Sequence, residues 1–348
     1  MRDMSAKVPS SAGRVDTIDR TMNSEDAIPC SPEGDFEITE AQTFGQTDRG
    51  LKRETNQDQF LVAELTKTMR VDHTSLALEK HLFGHGKGNI LMVADGMGGH
   101  AGGQRASELA VYHLISELLD CVHWHFHGET DDEIFTESLK RMLQDAHARI
   151  LVEASQNDSI RGMGTTVTLA YIVFPMMYVV HAGDSRCYIV DRDEAKQLTN
   201  DHTLARRMVE SGGMKEEEAA TSRWSNVLYN VLGGSNDGDI IAELHKVELK
   251  PQQTVVLCSD GLHRYIDNRL MGQIIRRTDG PEQACNEFVR LALEGGGEDN
   301  VTAVVYQCPD SDLRQSTWIE EFNEQLTGGL SGETTSSDPL KETLPEVI

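Results

Sequence analysis

The strongest constraint on this chain is a recurrence of aspartates at the ends of short apolar runs. Val93-Ala94-Asp95-Gly96 closes the run that opens at Asn89, and Leu257-Cys258-Ser259-Asp260-Gly261 closes another. His181-Ala182-Gly183-Asp184-Ser185 repeats the arrangement. Asp299 stands just before the run that opens at Val301, and Asp58 just before Phe60-Leu61-Val62. Apolar runs of this length bounded by turn residues read as strands. Strand ends are where a rigid scaffold presents side chains accurately. A glycine beside the aspartate lets an ion or ligand come close to the backbone. One Asp-Gly alone is ordinary turn chemistry, but several carboxylates that converge repel one another and need a cation.

Carboxylate, carbonyl and water ligands suit a hard ion, Mg²⁺ or Mn²⁺, and no Cys or His stands at zinc spacing in these motifs. Two such ions ~3.5–4 Å apart activate a bridging water and clamp an in-line displacement at phosphorus. That chemistry also wants a guanidinium on the phosphoryl oxygens. Arg53 precedes Asp58 by five residues, beside Arg49 and Lys52, and is the candidate.

Around these motifs, strands and helices come in blocks. Helical spacing covers 102–119, with Leu109, Tyr112, Leu114 and Leu118 for one face, and also 132–154, 204–211, 268–276 and 282–294. Apolar β-rich runs cover 165–173, 176–182, 186–190, 254–258 and 301–307. Gly183-Asp184-Ser185 reads as a hairpin between two of them. Grouped strands and paired helices favour an α+β fold, with antiparallel sheets covered by helices.

The globular part is expected at 39–309. A Ser-, Asp-, Glu- and Pro-rich disordered arm (1–38) precedes it, and an acidic, largely disordered tail (310–348), with one short helix at 316–326, follows. With 57 acidic and 32 basic residues among 348, the net charge of −25 argues against nucleic acid or an anionic membrane as partner. No apolar h-region opens the chain, and no run reaches the ~18 residues of a transmembrane helix. Six widely spaced cysteines without a C-x-x-C pair read as reduced thiols. A cytoplasmic protein is expected.

Residues 50–60, Gly-Leu-Lys-Arg53-Glu-Thr-Asn56-Gln57-Asp58-Gln-Phe60, resemble the opening R-x-x-N-[EQ]-D-x-[FY] of the metal-dependent PPM (type 2C) serine/threonine protein phosphatases. Asp95-Gly96-Met97-Gly98-Gly99-His100 resembles the D-G-M-G-G-H box of their bacterial members. Gly164-Thr165-Thr166, Gly183-Asp184-Ser185-Arg186, Asp201-His202-Thr203, Ser259-Asp260-Gly261-Leu262 and Asp299-Asn300-Val301-Thr302 follow in the family's order, and the likeness runs from Phe44 to Gln307.

The resemblance implies a four-layer α-β-β-α sandwich of two antiparallel β-sheets, with a metal cleft at one end. Asp95 would bridge two Mg²⁺ or Mn²⁺ ions and Gly96 would ligate through its carbonyl. Asp260 and Asp299 would complete the ligand set of the second ion, and Asp184 with Asp260 would hold a weaker third ion. Arg53, Asp58 and Asp95 are the candidate catalytic residues, Arg53 gripping the phosphate. A metal-bridging hydroxide would attack phosphorus directly, with no phosphoenzyme. Substrates would be phosphoserine and phosphothreonine proteins made by an opposing Ser/Thr kinase, and the protein a monomer. The competing reading is a catalytically weak phosphoprotein-binding module on the same fold. Ser211-Gly212-Gly213-Met214 would begin a flap beside the cleft.

Two departures stand out. Gln57 replaces the glutamate of many members, which makes one metal contact neutral. Met97 stands where the animal enzymes carry a histidine proposed as general acid, and a structural role is expected for His100.

Other motifs compete. Cys258 to Arg264 spells C-x₅-R, the skeleton of cysteine-dependent phosphatases, but Asp260 inside the loop opposes a thiolate. Asp191-Arg192-Asp193 resembles an aspartyl-phosphate loop and reads more simply as a charged hairpin turn. His123, His125 and His127 read as solvated histidines, and 67–88 as a specificity insertion or a surface excursion.

Overall fold

The structure is a computed structural model describing residues 41–73, 81–121, 129–219, 221–235 and 238–309, without side chains at 69, 81–87, 100, 121 and 129–131. The arm, the tail and His123, His125 and His127 lie outside the described residues. In chain order the strands are β1 (Gln42–Asp48), β2 (Gln59–Arg70), β3 (His81–Ala94) and β4 (Gly96–Met97). Helices α1 (Gly99–Cys121) and α2 (Glu129–Gln156) follow. Then come β5 (Gly164–Thr165), β6 (Val167–Val173), β7 (Met176–Ala182), β8 (Arg186–Asp191) and β9 (Glu194–Gln197). Helices α3 (Leu204–Glu210) and α4 (Glu216–Ala219) lead to β10 (Leu232–Gly233), β11 (Glu243–Glu248) and β12 (Thr254–Cys258). Helices α5 (Asp260–His263), α6 (Asn268–Arg277) and α7 (Pro281–Glu294) and strand β13 (Val301–Gln307) complete the unit.

Two five-stranded antiparallel sheets form the middle, ordered β1-β13-β12-β8-β9 and β11-β7-β6-β3-β2. Their strands alternate between two cores, because successive side chains point to opposite faces. In β3, Leu91 and Val93 face the other sheet, while Ile90, Met92 and Ala94 face helices. In β12, Val255 and Leu257 point inward, Val256 and Cys258 outward. Both faces are covered, so these strands read as unbroken apolar runs.

Ala106, Ala110, Leu114 and Leu118 of α1 and Leu139, Leu143, Ala146 and Ile150 of α2 cover the second sheet at helical spacing. Met271 and Ile274 of α6 and Ala284, Phe288 and Ala292 of α7 cover the first. Burying Phe288 alone is worth roughly 1.5–3 kcal/mol. The result is a four-layer α-β-β-α sandwich, as expected. The expected face of α1 is corrected in one place: Tyr112 is 71% exposed, and the small Ala106 and Ala110 supply the contact instead.

A second correction concerns Gly183-Asp184-Ser185. It is no hairpin: β7 belongs to one sheet and β8 to the other. Sequence-adjacent strands neighbour one another only about two-thirds of the time. Here β7 pairs back on β6, and the chain crosses between sheets at Gly183. That glycine has φ +122°, and a Cβ on it would lie 2.5 Å from Thr166. Asp191 to Glu194 do form a hairpin, joining β8 to β9. Of the 67–88 segment, 74–80 lie outside the described residues; 67–70 and 81–88 prolong β2 and β3 as a ribbon out to the Arg70–His81 pair, beyond the reach of β6, which pairs β3 only from Asn89 to Val93. Among the described residues, no helix is long and apolar enough to cross a membrane.

Candidate metal centre

Each sheet delivers carboxylates to the same end of the sandwich. Gln59 pairs with Ala94, so Asp58 before β2 and Asp95 after β3 are neighbours. Cys258 pairs with Ala303, so Asp260 after β12 and Asp299 before β13 meet in the other sheet. Asp184 sits on the crossover between the sheets. A cavity of about 480 Å³ is lined by Arg53, Asp95, Gly96, Asp184, Asp260 and Asp299, with Gln57 and Met97 also on its wall. Asp58 lies behind that wall, 2% exposed.

Local hydrogen bonds fix this arrangement. The Asp95 amide donates to Thr166 Oγ1 (3.0 Å), and its carbonyl accepts from the Thr166 amide and from Thr165 Oγ1 (2.9 Å each). Thr166 Oγ1 also meets Ser185 Oγ at 2.7 Å, tying the Asp184 turn to Asp95. A Cβ on Gly96 would lie 2.2 Å from the Gly103 carbonyl, so only glycine fits there. Asn300 closes the loop that carries Arg53: its Oδ1 accepts from the Gln57 amide, and its Nδ2 donates to the carbonyls of Arg49 and Thr55.

Asp58 and Asp260 are each held by one oxygen, whereas Asp299 is held by both, its Oδ1 accepting from the Asn300 amide at 2.9 Å. Asp58 Oδ2 accepts from Ser259 Oγ (2.7 Å) and Thr302 Oγ1 (2.6 Å), while its Oδ1 is buried and unpartnered. Asp260 Oδ2 accepts from Arg264, and its Oδ1 is likewise buried and unpartnered. Asp299 Oδ2 accepts from Arg53 Nη2 at 2.7 Å.

With protein groups alone, the cluster resists ionisation. Burial first, then neighbouring carboxylates, push Asp58 up to about 7 and Asp184 up to about 8. The same causes raise Asp95 well above the ordinary range, and burial raises Asp260. Two orphaned carboxylate oxygens among mutually repelling aspartates, beside the Gly96 backbone, are a donor set for a hard divalent cation. The residues present therefore fit such an ion.

Several participants at the site stand outside the set of aspartates. Arg264, taken only as the arginine of C-x₅-R, binds Asp260 one helical turn away; the i,i+4 spacing was the available signal. Ser259, Thr302 and Asn300 support the carboxylates through contacts distant in sequence, which no local pattern discloses. Gln57 Nε2 donates to the Gly99 carbonyl at 2.8 Å. Met97 is 39% exposed on the cavity wall and has no proton to give. The side chain of His100 lies outside the described residues.

After Ser211 to Met214 and α4, the chain returns so that Asn226 and Leu228 also line the cavity. The cysteine alternative fails on position. Cys258 is fully buried in the helix-covered core, and burial pushes its thiol up to about 12.

A profile of the family described as protein phosphatase 2C matches residues 78–291. The chain is 32% identical over 220 residues to the serine/threonine phosphatase stp of Listeria innocua, covering 63% of this chain and 84% of that protein. It superposes on the serine/threonine phosphatase of S. agalactiae with a TM-score of 0.62 and 26% identity, over 77% of this chain and 99% of that one. It is also similar to the catalytic domain of the serine/threonine phosphatase PstP in complex with two manganese ions: TM-score 0.59, 26% identity, 77% of this chain and 97% of that one.

Proposed function

The chain belongs to the protein phosphatase 2C family and is a divalent-metal-dependent protein serine/threonine phosphatase; from that premise we propose how its residues divide the work. The observation that carries the proposal is the pair of buried, unpartnered oxygens, Asp58 Oδ1 and Asp260 Oδ1, among converging aspartates beside Arg53.

Asp95, the Gly96 carbonyl, Asp260 and Asp299 would hold two Mg²⁺ or Mn²⁺ ions, and Asp184 with Asp260 a weaker third. When bound, the ions acidify water and polarise the phosphoryl oxygens of the substrate. Arg53, its side chain 53% exposed, has a fork of donors free to grip two phosphoryl oxygens while Asp299 orients it. Asp58 offers Oδ1 as a proton acceptor beside Asp95, with its other oxygen locked by Ser259 and Thr302. The thioether of Met97 cannot protonate the departing serine or threonine alkoxide, so that proton must reach it from elsewhere in the cavity. We assign this chemistry to a monomeric catalytic unit at 39–309 that acts on phosphoproteins made by an opposing Ser/Thr kinase.

Phosphate release from a phosphothreonine peptide tests the proposal. It should require Mn²⁺ or Mg²⁺, stop with EDTA, and survive Cys258→Ser. Folded protein that releases nothing in either metal would shift the assignment to a phosphoprotein-binding module.

A further inference from the structure

The crossover that carries Asp184 turns on a glycine with φ +122°, where no side chain can anchor the chain. Both polar atoms of Gly183 are tied instead, and His202 meets both, with His181 Nε2 sharing the carbonyl at 3.1 Å. The Gly183 amide donates to His202 Nδ1 at 3.1 Å, and the Gly183 carbonyl accepts from the His202 amide at 2.7 Å. The imidazole is 5% exposed, and its tautomer follows from its partners. Nδ1 receives the Gly183 amide and Asn230 Nδ2, so it carries no proton; Nε2–H then donates to Glu243 at 3.1 Å.

The same residue holds the wall of the cavity. The Tyr229 amide donates to the His202 carbonyl at 3.0 Å, and the Leu204 amide to the Val227 carbonyl at 2.8 Å. Those bonds seat the segment whose Leu228 lines the metal cavity. His202 thus links the turn under Asp184 to the segment facing the substrate.

His181, His202 and Glu243 bring ligand atoms within 4.8 Å of one another, as a metal site would. Their hydrogen bonds contradict that use. Nδ1 of His202 is filled by donors, and His181 Nε2 faces the carbonyls of Gly183 and Asn200 and must carry a proton.

We propose that His202 is a positioning residue that fixes the Asp184 carboxylate for cation binding and couples its affinity to the seating of the 224–230 segment. This inference rests on the reading of Asp184 as a cation ligand. It is tested by Mn²⁺ titration calorimetry on the full chain. Asp184→Asn should remove a weak binding phase. His202→Ala should weaken that phase about 10-fold or more and leave the tighter phases in place, which also reports an intact fold. His202→Asn, whose Oδ1 can take the Gly183 amide in place of Nδ1, should restore it. Glu243→Gln, which loosens the ring without removing it, should weaken the same phase and serves if His202→Ala does not fold.

A weak phase lost in Asp184→Asn yet unchanged in both His202→Ala and Glu243→Gln overturns the positioning role alone. An isotherm unchanged in Asp184→Asn removes the ligand reading and the inference with it. Protein that retains one zinc per chain, lost in Glu243→Gln, would make the cluster a metal site and overturn the proposal.

Discussion

Arg53 and Arg264 neutralise part of the acidic cluster, but they differ in exposure and in task. Arg53 is the more exposed and reaches the cavity from a loop. Arg53→Ala should raise KM for phosphopeptides about tenfold or more, with a smaller change in kcat, as steady-state kinetics would show. Asp95→Ala should abolish turnover. Removing one carboxyl from a buried group that resists ionisation relieves the cation-free protein, so its thermal midpoint in EDTA should not fall; a lower midpoint would mean that Asp95 has a structural role.

Asp201, outside the cluster, behaves in the opposite sense. Burial pushes Asp201 up, but two bonds from Arg186 (2.8 and 2.6 Å) outweigh it and hold Asp201 below its usual value. Its folded pKa is depressed, so its contribution is complete above about 3.8 and is lost as the pH falls through the folded value. Asp201→Asn strands a mostly buried guanidinium and should cost roughly 3 kcal/mol in urea melts at pH 7. The difference from wild type should shrink near pH 3.

Among the elements, those with their own periodicity were legible in the sequence. The long helices and the doubly covered strands declare themselves, because 3.6- and 2-residue patterns arise from burial on defined faces. Short or half-exposed strands did not: β9 and β11 are too polar to stand out. The aspartates could be read because turn chemistry marks strand ends. Their supporting residues could not, since Thr302 and Ser259 reach Asp58 across more than two hundred residues of chain. The crossover at Gly183 has the local sequence of a hairpin and is none, because partner choice between sheets is a long-range property. It also yields a sharp prediction. Gly183→Ala forces a Cβ to within 2.5 Å of Thr166 at an unfavourable φ. A stability loss of roughly 1–3 kcal/mol is expected, with weaker Mn²⁺ binding. An alanine variant with wild-type melting would show that the turn can relax.

At the scale of the whole molecule, the two sheets share a core of side chains such as Leu91, Val179, Leu257 and Val304, while the candidate ligands come from both sheets and from the link between them. If these residues hold the ion as proposed, cation binding is coupled to folding. Mn²⁺ at a hundred times its dissociation constant should add about 2.7 kcal/mol to unfolding, seen as a higher thermal midpoint that EDTA reverses. An unchanged midpoint would argue that the carboxylates do not hold the ion.

With the ion held as proposed, the same placement would make it a clasp at one rim of a two-page book. The pages are already glued along their inner faces, and the clasp closes only the edge where the aspartates gather. Amide exchange should therefore slow most, on loading, at that edge: around Asp95, Asp260 and the first residues of β13. The opposite edge, at the Phe174–Pro175 turn, should keep its own rhythm whether or not the clasp is shut.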